Sequence, residues 1–171
     1  VEIGKILGAT VVATAGGPDK LALARAHGAD HLIDYRHEDF RARVLELTAG
    51  RGVDAVYDPV GGDVFMQSLR CLAPEGRIMP VGFASDTIPQ IPANLLLVKN
   101  LIVCGLNMGL YFGWSPNDLR EVYEPRLRAH MQQLFDWFVA GRIDPVVERT
   151  YPLDQVHAAM DDILSRRAVG R

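Results

Sequence analysis

The chain has 171 residues, of which 49% are hydrophobic and 23% are charged, and its formal net charge is −3. This size and hydrophobic content suit one globular domain with a sizeable core. The small net charge implies no strong electrostatic attraction to nucleic acid or to an acidic membrane surface. The apolar runs are far too short to span a bilayer, and the first residues show no signal-peptide pattern.

Two cysteines, Cys71 and Cys104, are too far apart in sequence to form a CxxC metal-ligand motif. Cys71 falls in a predicted helix and Cys104 in a predicted strand, so both are expected to be small buried hydrophobic residues. The sequence therefore predicts a cytoplasmic protein without disulfides and without a metal site of its own.

Strands and helices alternate from the first residues onward. Apolar or β-branched runs bounded by glycine or proline predict strands at Ala9–Thr14, His31–Tyr35, Val53–Tyr57, Gly76–Gly82 and Leu101–Leu106. Helical spacing predicts helices at Glu2–Leu7, Asp19–His27, Glu38–Thr48, Gly61–Leu72, Asn94–Lys99, Arg120–Ala140 (bent near Pro125) and from Tyr151 to about Arg166. Phe83–Pro92 is predicted to be a loop. The strand at Ala9–Thr14 is almost wholly apolar and is expected to be buried on both faces.

Strands separated by helices of this length are βαβ units, which build a parallel sheet with helices on both faces. The predicted fold is α/β, a doubly wound parallel sheet of the Rossmann-like, dinucleotide-binding kind. Residues 1–171 are expected to form a single domain. Sheets of this kind bind ligands at the carboxyl ends of their strands.

One expected part of such a fold is missing from the sequence. A dinucleotide-binding fold opens with a strand, a glycine-rich turn and a helix, yet no GxGxxG occurs in the 171 residues. Glu2–Leu7 resembles the end of that helix, so a truncation is predicted, with the first strand and glycine-rich loop upstream of Val1. In the usual strand order the missing strand lies in the middle of the sheet, so its absence predicts two unpaired strand edges.

Five stretches resemble one known family in order and spacing. They are Ala13–Lys20 (ATAGGPDK), His27–Arg36 (HGADHLIDYR), Gly50–Gly62 (GRGVDAVYDPVGG), Leu72–Gly82 (LAPEGRIMPVG) and Ala140–Asp154 (AGRIDPVVERTYPLD). The sequence is similar to the zinc-independent NADPH:quinone oxidoreductase branch of the medium-chain dehydrogenase/reductase superfamily. The resemblance implies a catalytic domain upstream, no catalytic metal, and a fragment that is inactive alone. It also implies a homodimer formed through the sixth strand of the family pattern, Leu101–Gly105.

The residues at the end of the second strand of this pattern indicate whether the fold prefers NAD or NADP. NAD-specific folds place an acidic residue there to hold the ribose 2′-hydroxyl, but this chain has Thr14, Ala15 and Gly16. A carboxylate would repel a 2′-phosphate, so its absence permits NADP(H). The resemblance assigns Gly16, Lys20 and Tyr35 to the cofactor. The alternatives are a solvated lysine at a helix start and an amphipathic tyrosine at a strand end.

The resemblance assigns three more segments to the cofactor, each after a strand. The residues are Val60 and Gly61, then Val81, Gly82, Phe83 and Ala84, and finally Leu106, Asn107 and Met108. Small residues at 60–61 allow a ribose and pyrophosphate to approach the backbone, and the last segment is expected to lie against the nicotinamide carboxamide. Phe83 is equally consistent with a core residue. Asp58 fits a structural role better, as a cap for the helix that follows.

No catalytic constellation is visible in the sequence, and no catalytic or metal residue is predicted. The five histidines are expected at the surface: His27, His31, His37, His130 and His157. Asp161 and Asp162 are also expected to be solvated. Such a pattern is compatible with hydride transfer, in which the cofactor supplies the chemistry and the protein orients it.

Three main functions, and a zinc alcohol dehydrogenase as a weaker fourth, remain open from the sequence. The leading one is an NADPH-dependent reductase that delivers hydride to a quinone or another conjugated carbonyl (enone). The second is an enoyl or acrylyl reductase of the same superfamily, and a zinc alcohol dehydrogenase is a weaker member of this group. The third, from a different class, is a nucleotide-binding or structural module without catalytic activity.

Overall fold

A computed structural model describes residues 1–165 and 167–169. The helices are α1 (Glu2–Ile6), α2 (Pro18–Ala26), α3 (Phe40–Leu47), α4 (Gly62–Cys71), α5 (Ala93–Lys99), α6 (Met108–Tyr111), α7 (Arg120–Val139) and α8 (Val156–Leu164), with a 3-10 turn at Leu153–Gln155. The strands are β1 (Val12–Ala15), β2 (His31–Asp34), β3 (Val53–Asp58), β4 (Leu72–Pro80) and β5 (Ile102–Val103). The fold is α/β with parallel sheets, as predicted.

The chain divides into two compact units. The first comprises Val1–Glu38 and the described residues from His130 onward, and it contains a two-stranded parallel sheet of β1 and β2. The second comprises Asp39–Ala129 and contains a three-stranded parallel sheet in the order β3-β4-β5. Among the described residues β1 pairs only with β2, and β3 pairs only with β4. The single domain and the truncation stay predictions.

In the first unit, β1 departs from the prediction in position and burial. It covers Val12–Ala15 instead of Ala9–Thr14, and none of its four residues is buried. The expectation of burial on both faces was wrong, because within the described chain β1 pairs with β2 alone. Ile33 of β2 is fully buried instead.

The side chains of Lys5 and Glu2 join α1 to the rest of this unit by hydrogen bonds. The Asp30 carboxylate accepts hydrogen bonds from Lys5 Nζ at 2.8 Å and from the backbone N–H of Val11 at 2.7 Å, and these bonds lower the pKa of Asp30. Glu2 Oε1 lies 2.8 Å from Nδ1 of His27 and accepts a bond from the backbone of Asp144 at 3.0 Å. His27 is therefore half-buried and paired, not a solvated surface residue as predicted.

The C-terminal part of this unit holds a second paired group. Asp162 on α8 accepts a hydrogen bond from the hydroxyl of Tyr151 and ion pairs from Arg149 (2.8 Å) and Arg167 (2.7 Å). Its side chain is only 14% exposed, so the prediction of a solvated residue was wrong. The side chain is held by partners brought from outside its helix. The predicted helix end near Arg166 lies outside the described residues, and α8 ends at Leu164.

The second unit has the larger apolar core. One face of α4 packs on the three-stranded sheet, and the buried cluster consists of Phe65, Leu69, Leu72, Ile78 and Leu101. Cys71 is buried in α4 as predicted, and this burial raises the pKa of its thiol to about 11. Cys104 is half-buried instead of buried, and it lies just beyond β5 instead of inside the strand.

Two strands of this unit differ from the predicted bounds. β4 begins at Leu72, which pairs with Val53 of β3. After a bulge the pairing resumes at Arg77, opposite Ala55, close to the predicted start at Gly76. β5 spans two residues instead of six, although Cys104 still donates a backbone bond to Ile78 at 2.9 Å. The chain then turns into α6, which the sequence did not predict. Within the part of the chain that the structure describes, β5 lies at the edge of the three-stranded sheet.

Candidate functional site

In the first unit the parallel pairing of β1 and β2 brings Gly16 and Tyr35 together. Ala15 pairs with Asp34 in the ladder, so the residues that follow them lie opposite each other at the carboxyl ends of the strands. Gly16 is buried, and a Cβ built on it would lie 2.8 Å from the hydroxyl oxygen of Tyr35. Tyr35 is 48% exposed, so its ring is accessible to a ligand.

Arg36 lies at the same place, and the sequence reasoning missed it. A Cβ on Gly16 would be 2.7 Å from Arg36 Nε, and one on Gly17 would be 3.6 Å from Arg36 Nη1. The guanidinium therefore crosses in front of both glycines. The signal was present in the sequence, because a basic residue directly follows the tyrosine at the strand end.

Charged residues of both signs follow β1 in the sequence, because Asp19 and Lys20 both lie in the first turn of α2. Lys20 lies in the first turn of α2, four residues after Gly16, and is half-buried. No acidic residue follows β1 before the helix begins. The nearest acid along β2, Asp34, accepts a bond from the backbone N–H of Arg36 at 3.0 Å and lies 4.0 Å from His37. Its carboxylate therefore stabilises the turn that carries Arg36.

In the second unit the loops after β3 and β4 are joined by backbone hydrogen bonds. Val81 donates to the carbonyl of Asp58 at 2.9 Å, Ala84 to Pro59 at 3.1 Å, and Ser85 to Val60 at 3.0 Å. Gly62 donates to the carbonyl of Thr87 at 2.9 Å. The predicted site residues at 60–61 and 81–84 therefore form one continuous two-loop surface beyond the carboxyl ends of the two strands.

Asp58 shapes this two-loop surface. The residue is 2% exposed, and its carboxylate accepts hydrogen bonds from the backbone N–H groups of Val60 at 2.9 Å and Gly61 at 3.2 Å. The structural role expected for Asp58 is confirmed. Its form differs from the prediction, because Gly61 is the N-cap of α4 and Asp58 stabilises the turn before it.

Gly61 has a backbone that only glycine adopts easily, with φ of +76°. A Cβ there would lie 2.8 Å from Phe83 and 2.9 Å from the carbonyl oxygen of Thr87. Phe83 and Thr87 of the loop after β4 therefore occupy the space that a side chain at position 61 would need. Phe83 itself is 42% exposed, so it is not a core residue. The cofactor roles of Gly61 and Phe83 stay predictions.

The third predicted segment follows β5. Asn107 is the N-cap of α6, and its Oδ1 accepts a hydrogen bond from the backbone N–H of Gly109 at 2.9 Å. This bond engages the side-chain carbonyl of Asn107, and the contact of this segment with the nicotinamide stays a prediction. Leu106 and Met108 on either side are exposed. The structure places this segment at the same end of the sheet as the two-loop surface, because all three strands run parallel.

Within residues 1–165 and 167–169, no three His, Cys, Asp or Glu side chains are arranged to hold a metal ion. In the same part of the chain no helix is long and apolar enough to cross a membrane. The described site residues thus form two groups, one at the carboxyl ends of β1 and β2 in the first unit and one on the two-loop surface of the second unit.

Comparison with known proteins gives a consistent result. Residues 1–126 match the family described as zinc-binding dehydrogenase. The chain is 40% identical over 167 residues to the quinone oxidoreductase-like protein 2 homolog of Nematostella vectensis, covering 97% of this chain and 43% of that protein. It is 33% identical over 168 residues to 2-haloacrylate reductase of a Burkholderia species, covering 96% and 47%.

Among solved structures, the chain is similar to Escherichia coli quinone oxidoreductase complexed with NADPH. The TM-score is 0.81 at 30% sequence identity, and the match covers 99% of this chain and 50% of that one. The chain thus spans about half the length of the relatives it matches.

Proposed function

Since the chain belongs to the zinc-binding dehydrogenase family, in the quinone oxidoreductase branch of the medium-chain dehydrogenase/reductase superfamily, we propose that it is the cofactor-binding part of an NADPH-dependent oxidoreductase. The acceptor of the hydride is a quinone or another conjugated carbonyl. A relative named quinone oxidoreductase and another named quinone oxidoreductase-like protein 2 homolog support this substrate class.

The observation that carries the NADP(H) assignment is the close approach of the Tyr35 hydroxyl and the Arg36 guanidinium to Gly16. A hydroxyl and a cation converge over a glycine α-carbon where an NAD-specific fold would place an acid. These groups fit a 2′-phosphate, which accepts hydrogen bonds and carries negative charge. The NADPH-bound relative supports the same cofactor.

The chain's own residues bind and orient. Gly16, Lys20 and Tyr35 would hold the adenosine end through its 2′-phosphate. Val81, Gly82 and Ala84 would offer backbone groups to the nicotinamide-side ribose, and the segment 106–108 would lie against the carboxamide. When bound, NADPH supplies the hydride, and the protein fixes its position and excludes water.

Several further properties belong to the same proposal. The hydride acceptor would bind beside a catalytic domain outside this chain, so residues 1–171 alone would be inactive. Catalysis would need no zinc. The protein would be cytoplasmic, since both of its cysteines are free thiols. It would dimerise through the edge strand of Leu101–Gly105.

An enoyl or acrylyl reductase is the second candidate, and the similarity to 2-haloacrylate reductase favours it specifically. That relative differs from the quinone oxidoreductases in its named activity but matches this chain over a similar length. The two activities share the cofactor and differ in the acceptor. Residues outside this chain would separate them.

The test uses the natural protein that contains this chain. Purified protein would be assayed for NADPH oxidation, followed at 340 nm, with ortho-quinones, simple enones and enoyl thioesters, before and after treatment with a zinc chelator. Oxidation with a quinone that persists after chelation supports the proposal. Oxidation only with enoyl thioesters supports the second candidate. NADPH binding without turnover of any acceptor would leave a non-catalytic nucleotide-binding module.

A further inference from the structure

Three side chains of the second unit form a cluster between α6 and α7. Tyr111 is the last residue of α6, and Tyr123 and Arg126 lie in the first two turns of α7. The two tyrosine rings meet edge to face, with their centroids 4.8 Å apart and their planes at 65°. Cζ of Arg126 lies 4.9 Å from the centroid of each ring. Both kinds of contact are attractive, because the face of an aromatic ring is electron-rich.

The cluster holds one end of α6. Tyr123 and Arg126 are three residues apart and therefore share one face of α7, and the Tyr111 ring contacts both of them. α6 has only four residues, and so short a helix is not stable without tertiary contacts. Its other end is capped locally by the bond from the backbone N–H of Gly109 to Oδ1 of Asn107. Tyr111 thus connects α6 to a helix of 20 residues.

The position of α6 matters because this helix follows the third predicted cofactor segment, residues 106–108. Asn107 is the N-cap of α6 and Met108 is its first residue. In the described part of the chain, the hydrogen bonds of residues 105–107 reach no further than Leu110. After β5 the segment therefore depends on α6 for its position.

We propose that Tyr111, Tyr123 and Arg126 are positioning residues for hydride transfer, which hold α6 so that residues 106–108 lie against the nicotinamide. This inference rests on the proposed function and deepens it, since none of the three side chains is assigned to the cofactor itself.

The cluster is suited to this role because it lies outside the main core of its unit. That core is built around Phe65, Leu69 and Ile78, whereas Arg126 is exposed. Loosening the cluster is therefore a local change that leaves the rest of the unit folded. A misplacement on the order of 1 Å can slow an enzymatic reaction by about a hundredfold. The cluster is thus expected to affect the nicotinamide end of the cofactor more than it affects stability.

The test uses the natural protein that contains this chain. Tyr123→Leu removes a ring, Tyr123→Phe keeps it, and Arg126→Met removes the cation. Arg128→Met is the matched control, since Arg128 is an exposed arginine of the same helix that pairs with Glu124 outside the cluster. Steady-state kinetics would give kcat and KM for NADPH. Titration with adenosine 2′,5′-bisphosphate, which has the 2′-phosphate but no nicotinamide, would report on the adenosine end alone, and thermal unfolding would report on the fold.

We expect Tyr123→Leu to lower kcat/KM for NADPH by about tenfold and Arg126→Met to lower it by about threefold. Tyr123→Phe and Arg128→Met should retain the full value. The affinity for adenosine 2′,5′-bisphosphate should stay within about twofold in every variant, because distant sites without shared partners act independently.

A full kcat/KM in both Tyr123→Leu and Arg126→Met would overturn the inference while the NADP(H) assignment stands. An equal loss for NADPH and for adenosine 2′,5′-bisphosphate would also overturn it, since that result marks a general loss of structure. If the unsubstituted protein does not oxidise NADPH with any acceptor, the proposed function falls, and the inference falls with it.

Discussion

The hydroxyl oxygen of Tyr35 lies directly over the α-carbon of Gly16, at 2.8 Å from where a Cβ on that glycine would be. The contact exists because β1 and β2 pair in parallel with Ala15 opposite Asp34. The space for a side chain at position 16 is occupied by Tyr35 and Arg36, so the crowding atoms belong to side chains and not to the backbone.

Gly16→Ala is therefore expected to affect binding more than stability. The new methyl group would push away the flexible ends of Tyr35 and Arg36, a movement that costs little folding free energy, roughly 1 kcal/mol or less. Affinity for adenosine 2′,5′-bisphosphate should fall on the order of three- to tenfold, because the donors no longer converge. Gly105→Ala is the control, since a Cβ there meets nothing within 4 Å. Equal affinities for Gly16→Ala and the unsubstituted chain would contradict the assignment.

Asp58 is expected to matter for stability through the turn before α4. Asp58→Ala would leave the half-buried N–H group of Val60 and the buried N–H group of Gly61 without their acceptor and should lower the free energy of unfolding by about 1–3 kcal/mol. Asp58→Asn keeps one acceptor oxygen and should cost less. Urea denaturation would measure both. The control is Asp54→Ala, at an exposed residue of the same strand, which should change stability by no more than about 0.5 kcal/mol. A cost for Asp58→Ala no larger than that of the control would refute this role.

The Asp162 cluster predicts a pH dependence of stability. The hydrogen bond from Tyr151, followed by the one from Arg167, lowers the pKa of Asp162 below its ordinary value of 3.8. Because the folded-state pKa is the lower one, this stabilisation is fully present above pH 3.8 and is lost as the pH falls through the folded-state value. Thermal unfolding from pH 7 to pH 2 should show Asp162→Asn less stable than the unsubstituted chain at neutral pH. The difference should vanish in acid.

The control for this measurement is Asp161→Asn, at the exposed neighbouring position of α8. It should follow the unsubstituted chain at every pH. A difference between Asp162→Asn and the unsubstituted chain that stays constant down to pH 2 would show that the ion pairs are not the cause.

The edge strand β5 provides a test of the proposed dimer. Within the described residues β5 pairs only with β4, and Ile102 is 44% exposed. An open, apolar strand edge favours pairing with another copy, and a lysine there opposes it. Light scattering after gel filtration should show a dimer for the unsubstituted chain and a monomer for Ile102→Lys. Ile88→Lys, at an exposed residue of the loop after β4, should remain dimeric. A monomeric unsubstituted chain would end the dimer proposal.

Much of the fold was predictable because it depends on local patterns. Hydrophobic runs bounded by glycine and proline placed four of the five strands that the structure describes to within a few residues, and the alternation with helices predicted their parallel pairing. The short β5 was overestimated. Its apolar run continues through Cys104, but the Asn107 cap begins α6 soon afterwards, and a four-residue helix has too little periodicity to detect.

The sequence by itself determined the class of fold, the family and the segments that follow each strand, because these depend on residue order and spacing. Only the tertiary structure decided which side chains meet. The strand register brought Tyr35 and Arg36 over Gly16, and the packing of α8 against the segment at 149–151 gave Asp162 its partners. Contacts of this kind join residues through space, and no local periodicity encodes them. The physical reason is that a side chain's pKa, exposure and donors are set by its neighbours in the fold, not by its neighbours in the chain.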